Sequence, residues 1–148
     1  MSKRSLIKGV NPTTNPMLAL NVLSAVSGFL FFIAIETGLN LYRVQRLTGL
    51  GFATLKNIYF IFFILGSVFS TIILTVLNRK WKLGSMSRFL QAVLWFPYFY
   101  LFVRTYIALF PFTDPGDVPS AGTGFIVILG ILLYPFYLIL ISLFASKE

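Results

Sequence analysis

Four long apolar runs dominate the chain, at residues 17–41, 57–77, 89–110 and 124–144. Within them apolar positions are continuous and do not alternate with polar ones. A membrane-crossing helix needs roughly 20 mostly apolar residues, and each run is long enough. Strands of a transmembrane barrel would be about ten residues of alternating polarity, a pattern these runs lack. The expected fold is therefore an all-α integral membrane protein: a four-transmembrane-helix bundle with short loops. The runs leave too little chain for a second unit, so residues 1–148 read as one four-span domain.

Composition supports the same reading. Charged residues make up 11% of the chain, against about 25% in ordinary soluble domains. With so little polar surface, the expected solvent is the lipid bilayer. There is neither cysteine nor histidine. Disulfides, thiol nucleophiles, thiolate metal sites and histidine-based acid–base or metal chemistry are thereby excluded. No cofactor, metal or catalytic constellation is expected, and the chain does not read as an enzyme. The net charge of +8 comes from bases beside the apolar runs. That is where topology signals and anionic-lipid contacts sit, so no nucleic-acid partner is expected.

Those bases set an orientation. Lys3, Arg4, Lys8, Arg79, Lys80, Lys82, Arg88 and Lys147 fall on one side of four spans; Arg43, Arg46 and Lys56 fall on the other. The excess places both termini in the cytoplasm, with the plasma or cytoplasmic membrane as the location. The first span follows a basic tail, but its apolar run exceeds a signal-peptide core and no small-residue cleavage site follows. It reads as an uncleaved anchor, and Pro16 suits its first turn. The weak point of the topology is the first loop, whose three bases lie outside. Its stretch LTGLGFATL reads either as an interfacial segment or as a plain solvated loop. The third loop carries Asp114-Pro115-Gly116-Asp117, a tight turn. Two carboxylates are too few for a calcium site, so this reads as an acidic external turn.

Two charges lie inside the runs, Glu36 and Arg104. They have opposite sign and similar depth on two outward-running spans, which nominates them as an intramembrane pair. Snorkelling of Arg104 to the headgroups is the alternative. Two prolines also interrupt spans, each wrapped in aromatics: Trp95-Phe96-Pro97-Tyr98-Phe99-Tyr100 and Tyr134-Pro135-Phe136-Tyr137. An interior proline removes a backbone hydrogen bond and bends a helix. Pro97 and Pro135 are therefore candidate kinks or hinges, with nearby tyrosines available to donate to the freed carbonyls. In the third span, Val93, Pro97, Tyr100 and Arg104 share one stripe and Trp95, Phe99, Phe102 and Tyr106 another. The first is expected to face the bundle and the second lipid or a partner. Ser24 with Gly28, and Gly66 with Ser70, have the four-residue spacing that lets membrane helices approach closely. Ser67, Thr71 and Thr75 form a hydroxylated stripe, and Asn21 is expected to bond across helices.

Two functions fit this inventory. The first is a non-catalytic multi-pass protein acting as an accessory or interaction subunit of a membrane complex, with a membrane-protein partner. The alternative is a small homo-oligomeric transporter or channel using Glu36, Arg104 and the kinked third and fourth spans.

Overall fold

The computed structural model describes residues 15–81 and 84–146. Lys3, Arg4, Lys8, Lys82, Lys147 and Glu148, which enter the charge count, lie outside the described residues. The described chain is all-helical, with five α-helices and one 3-10 turn: α1 (Pro16–Leu39), α2 (Leu41–Thr48), α3 (Phe52–Trp81), α4 (Ser85–Leu109), the turn Pro115–Asp117 and α5 (Ala121–Ala145). α1, α3, α4 and α5 are each long and apolar enough to cross a membrane.

The first loop differs from expectation. It is largely helical rather than a plain loop. α2 occupies most of it, and α3 begins at Phe52, so only Gly49, Leu50 and Gly51 connect the two. Local chemistry explains the breaks. Asn40 ends α1, its backbone N–H still bonded to the Glu36 carbonyl. Gly49 ends α2 with φ 69°, a left-handed conformation that glycine adopts without a Cβ penalty. The N-terminal turn of α1 follows its sequence. The Asn15 side chain accepts from the Met17 amide, and Pro16 sits in the first turn, where its missing N–H is not needed.

α1 is the central helix, and its most extensive interface is with α4. The two run parallel. Ser27 meets Gln91, Phe31 meets Trp95 and Phe99, and Phe32 meets Phe102 and Tyr106. α3 packs on α1 and α5, and α5 on α4, giving the order α1–α3–α5–α4 around the bundle. The closest approach is at Gly28. A Cβ there would lie 2.7 Å from the Trp95 carbonyl oxygen and 2.8 Å from the Phe99 nitrogen. Only hydrogen fits against that backbone. Ser24, beside it in the four-residue pattern, is fully buried. The second pattern behaves differently. A Cβ on Gly66 would meet nothing within 4 Å, and Ser70 is only half-buried. The reason is position: α3 is peripheral, with 6% of its apolar window buried against 39% for α1.

The interior is aromatic. Phe31 packs against Trp95 and Phe99 at 5.1 Å and against Tyr134 at 4.5 Å, and Trp95 meets Tyr134 edge-on at 4.7 Å. Such pairs contribute about 0.5–1.5 kcal/mol each beyond their burial. The stripes of α4 are thus reversed from expectation. Trp95 and Phe99 point inward, while Val93, Pro97, Tyr100 and Arg104 are exposed. A lone arginine near a helix end can extend along the helix towards water. It therefore does not have to face inward, and the flat rings take the place beside Gly28.

Candidate functional site

Polar chemistry gathers at two levels of the bundle. The first caps the end that carries α2 and the Pro115–Asp117 turn. Arg43 and Arg46 lie one turn apart on α2 and face Asp117. Arg46 forms a bidentate pair, its Nε donating to Oδ1 at 2.9 Å and Nη2 to Oδ2 at 2.7 Å. Arg43 Nε lies 3.5 Å from Asp117 Oδ2, and Arg46 Nε lies 3.6 Å from Asp114 Oδ2. Arg43 also donates to the Phe110 and Pro111 carbonyls at 3.3 and 2.8 Å and stacks over the Phe112 ring at 4.6 Å. Two planar guanidinium forks thus bind the end of α4 and the following loop to α2.

The turn itself is pre-shaped. The Asp114 side chain accepts from the Gly116 amide, and Pro115 starts the 3-10 turn. The turn leaves Asp114 partly exposed and buries Asp117 to 1% exposure. The hydrogen bonds from Arg46, ahead of the Arg43 contact, hold its carboxyl below the usual carboxylate range. Beside this clamp lies an open depression of about 420 Å³, lined by Tyr42, Gln45, Arg46 and the glycines 49, 51 and 116.

Just beneath the cap, Glu36 and Asn40 are both buried. Asn40 Nδ2 donates to the Glu36 carbonyl at 2.8 Å and to the Glu36 carboxylate at 3.1 Å. Asn40 Oδ1 is buried and has no hydrogen-bond partner among the described residues. The expected Glu36–Arg104 pair is not formed. Glu36 faces Asn40 and Arg43, whereas Arg104 stands exposed on α4. Matching depth along two helices does not fix the direction around each axis, and here the two side chains leave on different sides.

The second level lies on the other side of the aromatic core. Tyr134 donates to the Ser27 carbonyl at 2.8 Å, and Gln91 Nε2 donates to Ser27 Oγ at 3.2 Å. Tyr98 donates to Asn21 at 2.9 Å, so Asn21 does bond across helices, and Tyr137 pairs with Thr71 at 2.8 Å. Tyr98, Tyr134 and Tyr137 therefore bond neighbouring helices, while Tyr100 is exposed. α4 and α5 run unbroken through Pro97 and Pro135.

Sequence reasoning missed the arginine–aspartate clamp. A signal existed: Arg43 and Arg46 are three apart, Asp114 and Asp117 are three apart, and both pairs fall in loops on the same side. Among the described residues no three acidic side chains cluster as a metal site would require. No family model matches the chain, and no curated protein or solved structure is significantly similar.

Proposed function

We propose that this chain is a non-catalytic multi-pass membrane protein, embedded by α1, α3, α4 and α5, that serves as an accessory or interaction subunit of a membrane complex. The capped end lies outside and the termini in the cytoplasm, following the distribution of bases. The observation that carries this reading is how the aromatic side chains are divided. Inside, Phe31, Trp95, Phe99 and Tyr134 fill the axis with ring-to-ring contacts and support a static bundle better than a conduit. Outside, α3 presents Phe60, Phe62 and Phe69 at 61%, 50% and 61% exposure, the side of the bundle best suited to a partner. The transporter alternative has less support, because Glu36 and Arg104 lie apart and Pro97 faces outward.

The test is purification of the tagged protein from its native membrane in mild detergent, with the mass of the intact particle determined. The expected result is a second protein in fixed stoichiometry. A particle containing copies of this chain alone would overturn the accessory reading.

A further inference from the structure

We propose that Glu36 and Asn40 form a proton-binding site at the capped end of α1, in which a neutral Glu36 carboxylic acid lies against the Asn40 carboxamide. The argument begins with hydrogen-bond inventory. A carboxamide offers a donor and an acceptor side by side, and a carboxylic acid offers the complementary acceptor and donor. Half of that match is present: Asn40 Nδ2 donates to Glu36 Oε2 at 3.1 Å. The other half is the unpartnered Asn40 Oδ1. An ionised carboxylate is acceptor-only and can give this atom nothing. A protonated Glu36 has the O–H that Oδ1 lacks, and buried polar atoms are ordinarily paired.

Charge leads to the same conclusion independently. The charged groups near Glu36 come from two elements: α2 supplies Arg43, and the 3-10 turn supplies Asp117, reached through Arg43. Tyr59 of α3 packs on the opposite face of α1, over Ala34 and Gly38. Arg43 is the cation nearest Glu36, but Asp117, the Phe110 and Pro111 carbonyls and the Phe112 ring already engage it. Arg43 and Arg46 are matched by Asp114 and Asp117, so the cap balances without Glu36. An ionised Glu36 would be an uncompensated charge at 9% exposure, and such a group in an apolar setting neutralises itself. A proton does this without the ring of oxygen ligands a metal cation needs. The site stands whether or not the bundle has a partner protein.

Dicyclohexylcarbodiimide tests it, because protonated carboxyl groups buried in membrane proteins add to this apolar reagent and the O-acylisourea formed rearranges to a stable N-acylurea of the full combined mass. The full-length protein in detergent is treated at neutral pH and its intact and peptide masses are read. The expected result is one adduct per chain at Glu36, absent from Glu36→Gln, with Asp114 and Asp117 unmodified. The variant should fold, since glutamine keeps the shape and can pair with Asn40 amide to amide. Infrared difference spectra between wild type and Glu36→Gln at neutral pH give a second readout that needs no reagent access. They should contain the carbonyl stretch of a protonated acid, shifted to higher frequency in Asn40→Ala as its hydrogen bond is lost. Absence of that band, or a band that Asn40→Ala leaves in place, would overturn the proposal. So would loss of labelling when sodium is added at constant pH, which would assign the site to a cation.

Discussion

At the scale of single residues, the two glycine patterns make opposite predictions although the sequence presents them alike. At Gly28 an added methyl meets the Trp95 carbonyl and the Phe99 nitrogen at 2.7 and 2.8 Å, both backbone atoms that cannot swing aside. Gly28→Ala must push α1 away from α4, the main interface of the bundle. Overpacking of this kind costs about 1–3 kcal/mol, and the thermal unfolding temperature in detergent should fall. At Gly66 the same methyl meets nothing. Gly66→Ala should be neutral, or stabilising by up to about 1 kcal/mol through its better helix propensity. A measured loss at Gly66 equal to that at Gly28 would mean that α3 is covered by something in the folded particle.

At the scale of elements, α2 depends on its partners. It has eight residues, and isolated helices shorter than about 12–15 residues are marginal in water. Its stability must come from tertiary contacts, with those of Arg43 and Arg46 to the loop opposite the strongest polar ones. Asp117→Asn removes the charge both arginines share. Amides 44–48 should then exchange with deuterium much faster, while those of α1 and α4 keep their protection. The pH dependence follows from the depressed Asp117 carboxyl. A group whose folded-state pKa is lowered stabilises the fold above its unfolded value, near about 3.9, and loses that contribution as pH falls towards the folded value. Protection of α2 should therefore be flat through neutral pH and lost in acid below about pH 4. Protection that persists in acid would show that the apolar stacking of Tyr42 on Phe52 suffices to hold α2.

The same element shows what the sequence could and could not reveal. The four long helices were legible because 20 continuous apolar residues have few other uses, and their observed ends fall within five residues of the apolar runs. α2 was not, because a short segment with mixed polarity has no signature apart from its tertiary contacts. Nor was the facing of α4 legible. When every side of a helix is apolar, hydrophobic periodicity carries no direction. Arg104 was then a misleading guide, since a long cation can reach water from the outer face. The Asn40 acceptor left over beside Glu36 depends on how α1 ends and is invisible to spacing.

At the scale of the whole molecule, orientation is the property most exposed to test. Folding alters how the charges are displayed. At the capped end Arg43 and Arg46 are spent on Asp114 and Asp117, leaving Lys56 as the one base of the three without an aspartate opposite it. The segments that the sequence assigns to the other end carry eight bases and the single carboxylate Glu148. Topology is set by Lys and Arg themselves rather than by net charge, so eight bases against three favour the proposed topology, in which the clamp would neutralise the minority at the outer end. The absence of cysteine makes this directly measurable. Thr113→Cys places a thiol in the exposed loop between α4 and the 3-10 turn, and Ser146→Cys places one just past α5. In intact cells a membrane-impermeant maleimide should label the first variant and spare the second, and detergent should then open the second to labelling. The reverse pattern would put the clamp in the cytoplasm and would mean that Arg43, Arg46 and Lys56 had outweighed eight bases, leaving the proposed topology without support.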